Sequence, residues 1–153
     1  MLNTLPREQY RITLGMGEYE YYLDIQDRRL YLTTPIDNDV MDFGMSNAMS
    51  LTDNIISYNR EDQNLAISDR KPIRLYINSP GGDIVEGFSL VGAIETSKTP
   101  VYTINVGQWS SMAFLIGIAG HRRFSLPYMT FLMHDGSSFT YGSAFLLYFF
   151  LNL

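Results

Sequence analysis

The sequence predicts an α/β fold built on a mainly parallel sheet, and three observations carry that reading. Segments rich in β-formers alternate with segments of helical apolar spacing, the changes between them are marked by turns containing glycine or proline, and one helical segment is apolar nearly all round, as a helix buried against a sheet must be. With 153 residues, 46% hydrophobic and 18% charged, the chain has the balance of a globular protein able to bury about 70% of its unfolded surface. A single domain over 1–153 is expected.

In chain order, residues 1–20 read as a polar N-terminal arm. Residues 21–25 and 29–33 alternate enough to be two short strands joined by the polar turn Gln26-Asp27-Arg28. Residues 37–58 set Val40, Phe43, Met49, Ile55 and Ile56 among Asn, Asp and Ser, which suits an amphipathic helix with Asp37 or Asn38 near its N-cap. The polar runs 59–64 and 68–72 read as solvated loop. Residues 73–78 form a β-rich segment, Ser79-Pro80-Gly81-Gly82-Asp83 breaks it, and Ile84, Phe88, Val91 and Ile94 then recur at helical spacing. The scheme repeats with a strand over 101–106, a tight connection over 107–110 and the buried helix over 111–119. Residues 124–126 and 129–133 are two more short strands, split by Pro127. The core is therefore placed in 21–135. Residues 136–153 carry no charge, are strongly apolar from Ala144 onward, and are too few to span a bilayer, which takes about 18 or more apolar residues.

Charge is divided unevenly: residues 1–70 carry a net −6 and residues 71–153 a net +1. The basic stripe that binds a phosphate backbone is missing, so nucleic acid is not an expected partner. The first ten residues show no positive flank followed by an apolar stretch, so no secretory signal is read, and a cytoplasmic protein without a membrane partner is expected. No loop has the glycine-rich, lysine-containing form that cradles phosphates, so no nucleotide cofactor is expected in this chain. Zero cysteines exclude disulfides and thiol nucleophiles, and two histidines without helical i,i+4 pairing make no zinc site.

Chemistry concentrates at two strand-to-helix corners. Ser111 stands where a strand passes into the first turn of a buried helix, beside unpaired backbone N–H groups and a partial positive charge able to hold a developing oxyanion. Ser110 and Ser111 are equally good ordinary N-caps. At the other corner, Asn78-Ser79-Pro80-Gly81-Gly82 carries adjacent glycines that allow close approach to the backbone, either as half of an oxyanion hole or as a plain turn before a helix. A serine nucleophile needs a base, and histidine suits the task near neutral pH. His134 ends the 129–133 strand, whereas His121 lies in the loop Gly120-His121-Arg122-Arg123 and reads as solvent-exposed. A lone strand-end histidine is usually structural, so spacing alone does not make His134 a base. An acid to orient the imidazole is harder to find: Asp135 adjoins His134 and points to the opposite face, and Asp83 beside the glycines has no positive case.

These residues, in order, resemble the Clp protease proteolytic subunit (ClpP) family of serine peptidases. The resemblance rests on residues 72–83 (Pro-Ile-Arg-Leu-Tyr-Ile-Asn-Ser-Pro-Gly-Gly-Asp), on Val106-Gly-Gln-Trp-Ser-Ser-Met112, on Ala119-Gly120, on Arg123-Phe-Ser-Leu-Pro127 and on Met133-His134. Residues 29–33 and 35–43 are weakly similar to the family's first strand and helix, and Asp135-Gly-Ser-Ser138 is closer to divergent members from Gram-positive bacteria and their phages. What the resemblance implies is a ClpP/crotonase-like fold of repeated strand-strand-helix units. It also implies a serine endopeptidase with Ser111 as nucleophile, His134 as general base and the N–H groups of Gly82 and Met112 as oxyanion hole. Its substrates would be proteins or peptides fed by a separate AAA-type ATPase unfoldase that uses the ATP, and its assembly a homo-oligomeric ring, heptamer or tetradecamer. The cofactor expectation stays at none in this chain.

Three departures from the family pattern qualify that expectation. Ala113 replaces a usual glycine, the 120–123 loop is short, and the sequence stops at Leu153, where the family's handle helix, its triad aspartate and a final strand and helix would follow. A C-terminally truncated member lacking those elements is expected, with impaired activity and with 136–153 as an aberrant start of the handle region. The third triad acid therefore has no residue here. The alternative is a catalytically silent subunit that co-assembles with or regulates complete paralogues; an acyl-CoA enzyme of the same fold is disfavoured because it needs no serine at the helix start.

Overall fold

Strict alternation along residues 73–77 sets the frame: Ile73, Leu75 and Ile77 are buried while Arg74 and Tyr76 stand half-buried on the other side. The structure is a computed structural model and describes residues 24–37 and 48–135. In chain order the elements are β1 (Arg29–Leu32), α1 (Ala48–Glu61), a 3₁₀ turn (Ile67–Asp69), β2 (Ile73–Ser79), α2 (Ile84–Thr96), β3 (Val101–Ser110), α3 (Met112–Ala119), β4 (Arg122–Ser125) and β5 (Thr130–Leu132). Among the described residues the five strands form one sheet in the order β1-β2-β3-β4, every pair parallel. The long strand β3 takes β4 beside its first half and β5 beside its last three residues.

Helices α1, α2 and α3 cover one face. Leu30, Leu32, Ile73, Leu75, Ile77 and Val101 from the strands meet Leu51, Ile55, Leu90, Ile94 and Ile116 from the helices in one core, as burial of apolar surface requires. Tyr31, Tyr76 and Tyr102 lie on the opposite face, the first two with rings stacked 5.2 Å apart. The expected α/β class with a parallel sheet is therefore what the chain adopts.

Several boundaries differ from expectation for definable reasons. Asp24–Gln26 form a helical turn, not the end of a strand; Arg28 N–H donates to Ile25 C=O (3.0 Å), and Arg29 reaches back to Asp24 and Asp27, which draws the segment into a compact turn. Helix α1 continues to Glu61, and the polar runs after it are not simply solvated. Asp62 is buried, accepting from Arg28 Nη1 (2.6 Å), Arg28 Nη2 (2.8 Å) and Thr99 Oγ1 (2.9 Å). Arg70 is buried beside it, donating to Leu65 C=O and to Thr99 Oγ1. The Arg28 guanidinium holds the Asp62 carboxyl below the usual carboxylate range, and Asp62 in turn raises Arg28.

The expected helix forms as α2; of the residues whose spacing marked it, Ile94 joins Gly87 and Leu90 on the core face and Val91 packs against it, while Ile84 and Phe88 are exposed. Strands β4 and β5 are shorter than or shifted from their expected ranges and exposed throughout, so the 129–133 segment is not a core strand. The expected arm over 1–20, strand residues 21–23, the helix start over 38–47 and the apolar run over 136–153 lie outside the described residues.

Candidate active site

The 107–110 segment, expected as a tight connection, is instead the end of β3. What carries the strand through is an irregularity: between the pairs Ile77↔Asn105 and Ser79↔Trp109, β3 advances four residues while β2 advances two. Asn side chains knit it together. Asn105 Oδ1 accepts from Gly107 N–H (3.0 Å), and Asn78 Oδ1 accepts from Gln108 N–H (3.2 Å). A Cβ on Gly107 would lie 2.1 Å from Asn78 Oδ1, which is why glycine stands there. Beyond it Trp109 and Ser110 turn inward and are buried.

Ser111 then makes the corner. Its φ of 54° and ψ of −125° are values that a residue with a Cβ rarely adopts, at a strain of about 1–3 kcal/mol. The corner is held from both sides: Ser111 N–H donates to Leu132 C=O of β5 (2.9 Å), and Ser111 C=O accepts from Phe114 N–H of α3 (2.9 Å). Ser111 occupies the N-cap position of α3, yet its side chain makes no capping hydrogen bond. The neighbouring Ser110 hydroxyl is engaged with Gln108 Oε1 at 3.1 Å. A serine at a strained strand-to-helix turn, with its hydroxyl uncommitted to the helix, is the arrangement that presents an Oγ to a reactant.

The glycine corner abuts this elbow. Ile36 N–H donates to Gly81 C=O (2.9 Å) and Ile36 C=O accepts from Asp83 N–H (2.7 Å), a one-residue parallel bridge to Gly82. That pairing directs the Gly82 N–H away from Ile36, and among the described residues neither it nor the Met112 N–H has a backbone acceptor. Gly81 (φ 92°) and Gly82 (φ 146°) both need glycine: a Cβ on Gly81 would fall 2.8 Å from Ser111 Cβ and 2.9 Å from Met112 N, and one on Gly82 2.0 Å from Ile36 O.

Ser111, Met112 and His134 line one cavity of about 240 Å³, together with Ile84, Phe88, Leu115 and Met133. Its walls are mostly apolar. Gly82 is not among the lining residues; its neighbour Gly81 is in contact with the elbow. His134 lies beyond the end of β5 and is exposed, with Nδ1 2.7 Å from the Asp135 carbonyl oxygen. A carbonyl oxygen only accepts, so this contact requires Nδ1–H, and in a neutral ring the lone pair is then on Nε2. No hydrogen bond joins His134 to Ser111 among the described residues.

The other titratable residues weighed for the site fall elsewhere. Asp83 caps α2, its carboxylate accepting from Glu86 N–H at 2.9 Å. Exposed His121 accepts from Val101 N–H through Nδ1 (3.0 Å) at the far end of β3. Among the described residues no three His, Asp or Glu side chains group as a metal site, and no helix is long and apolar enough to cross a membrane. Sequence reasoning missed Ile84, Phe88, Leu115 and Met133 as cavity walls. Ile84 and Phe88 matched a core stripe in spacing, and the signal that separates the two is Gly87, whose Cβ would overlap the Met112 side chain and which therefore marks the true α2–α3 contact.

Comparison with known proteins places this geometry in context. A family model described as Clp protease matches residues 22–145. Over 81 residues the chain is 42% identical to the protein named ATP-dependent Clp protease proteolytic subunit 2 of Treponema denticola, a match covering 52% of this chain and 40% of that protein. The chain thus matches less than half the length of that curated relative.

Proposed function

The chain belongs to the Clp protease family, and from that premise we propose that it carries the nucleophile, base and oxyanion donors of a serine endopeptidase. The observation that carries the proposal is the Ser111 elbow: a strained, non-capping serine sharing an apolar cavity with His134. In this reading a peptide enters the cavity and Ser111 Oγ attacks its scissile carbonyl while His134 Nε2 takes the hydroxyl proton. The carbonyl oxygen becomes an oxyanion received by the N–H groups of Gly82 and Met112, the second of which opens α3 and adds the helix's partial positive charge. Collapse expels the amine, which takes the proton from His134, and a water activated by the same nitrogen releases the acyl group from Ser111. The Nδ1–H donated to the Asp135 carbonyl holds the imidazole in the tautomer this sequence of steps requires.

At the level of the whole protein, the reading is of a proteolytic subunit in the cytoplasm that assembles in rings with copies of itself and receives unfolded chains from a separate ATPase, the source of the ATP dependence in the relative's name. The exposed position of His134 and its lack of a hydrogen bond to Ser111 favour one alternative, a silent subunit that binds peptides or co-assembles without cutting. Fluorophosphonate labelling of the folded chain, with the modified residue located by mass spectrometry and Ser111→Ala as control, separates the two. Labelling confined to Ser111 and abolished by the substitution supports the peptidase; a folded, unlabelled chain overturns it in favour of the silent subunit.

A further inference from the structure

His134 is carried by an element with little to hold it. Strand β5 has three residues, all exposed, and His134 follows its end by two. What ties the strand down is a short backbone ladder to β3, the Asn105 side-chain Nδ2–H donated to Thr130 C=O (3.1 Å) and the Ser111 N–H bond to Leu132 C=O. A ring pair also spans the two strands. Trp109, directly opposite Phe131, sets its ring edge-to-face against it with centroids 5.5 Å apart and planes at 90°, the geometry aromatic pairs prefer.

Trp109 is in turn immobilised from behind. It is 3% exposed, and its six-membered ring lies flush on α3 at Gly117, where a Cβ would come within 2.4 Å of Cε3. Among the described residues its buried indole N–H has no hydrogen-bond partner, so within them the ring is held by shape and not by polar pairing. The indole therefore connects the helix behind the elbow, the strand that delivers Ser111 and the strand that delivers His134. Resting on the peptidase reading above, we propose that Trp109 is a positioning residue, which with Phe131 clamps β5 to β3 and so sets His134 against Ser111. Neither ring lines the cavity, so the effect runs through placement and not through contact with a reactant.

The test is the rate of fluorophosphonate labelling of Ser111 in the full chain carrying Phe131→Ala. Phe131 is 51% exposed, so the substitution removes the aromatic contact with little core loss; if the variant does not fold, Phe131→Leu takes its place. Misplacing the base by about 1 Å should slow labelling on the order of 10- to 100-fold, and Phe131→Tyr, which keeps the ring, should return it to near the parent rate. In a His134→Ala background, Phe131→Ala should cost clearly less, because the route through that histidine is gone and only the Leu132 C=O bond to Ser111 N–H remains to be loosened. An unchanged rate in Phe131→Ala, or the same fold-loss in the His134→Ala background, overturns the positioning role while leaving the peptidase reading in place. A parent chain that is folded but unlabelled, or one whose rate is indifferent to His134→Ala, removes the role of the base and the clamp with it.

Discussion

Replacing Asp62 by Asn should destabilise the chain by about 3 kcal/mol, the low end of what breaking a buried ion pair costs. The figure follows from what is left behind. The Asp62 side chain is 4% exposed and that of Arg28 11%; without the carboxylate, the guanidinium retains the Lys71 carbonyl at 2.8 Å and the largely exposed Glu61 at 3.5 Å. Asparagine can still accept one bond from Arg28 or Thr99, which keeps the loss from the upper end of the range. With a urea m-value of about 1–3 kcal/mol/M for a small protein, the midpoint should fall by about 1 M or more at pH 7. The pH dependence has a definite sign. The folded carboxyl titrates below its unfolded value, so the unfolded chain binds this proton first as pH falls. The contribution is complete above the ordinary aspartate value near 3.8 and is lost as pH drops through the lower folded value. The gap between parent and Asp62→Asn should therefore be constant from neutral pH to about pH 5 and close below about pH 4. A midpoint unchanged at pH 7, or a gap that persists undiminished into strong acid, would refute this account of the buried pair.

Other substitutions probe the elbow and its neighbours. Gly81→Ala puts a methyl 2.6 Å from Ser110 O and 2.8 Å from Ser111 Cβ at a φ of 92°, and should cut fluorophosphonate labelling at least tenfold and lower the melting temperature. Asp83→Ala removes the α2 cap bond and should cost about 1 kcal/mol in chemical denaturation while labelling of Ser111 proceeds; loss of labelling with the fold intact would return Asp83 to candidacy as the orienting acid. Gly117→Val drives branched bulk into the Trp109 ring and should destabilise by about 1–3 kcal/mol, read as a lower urea midpoint together with altered emission of the single tryptophan.

Much of this arrangement was legible from residue spacing. The β-rich run over 73–78, the glycines after it and the apolar helix after Ser111 each state a local preference that the tertiary fold respects, so the α/β class and both corners follow directly. What eluded the sequence depends on partners distant in the chain. Asp62 and Arg70 sit in polar runs, and nothing local says that Arg28 and Thr99 bury them. The extension of β3 through 107–110 depends on Asn78, some thirty residues earlier. Ile84 and Phe88 have the spacing of core residues, but the close approach of Gly87 to Met112 turns them toward the cavity. Ordinary capping chemistry left Ser111 ambiguous, and what favours the nucleophile reading is a backbone angle and a hydroxyl that does not cap α3, neither of which is written in a residue type.

The two sets of polar residues occupy opposite edges of the same parallel sheet, and this separation has a physical reason. Arg28, Asp62, Lys71 and Thr99 precede or follow elements at the N-terminal ends of β1, β2 and β3, where chains enter from loops and charged side chains can be paired to fix the strands in register. Gly81, Gly82, Ser111 and His134 follow the C-terminal ends of β2, β3 and β5, the side on which crevices open in parallel sheets generally, and Ser111 and His134 line one there. Backbone strain occurs at both edges, in Ser111 (φ 54°) at the second and in Arg28 (φ 55°) at the first, where the ion pair with Asp62 holds the residue in place. The consequence is separable: Asp62→Asn should lower stability while Ser111 in the remaining folded molecules labels at the parent rate, and Phe131→Ala should do the reverse. A labelling rate per folded molecule that falls with Asp62→Asn would show that the two edges are coupled through the strands and that the division is wrong.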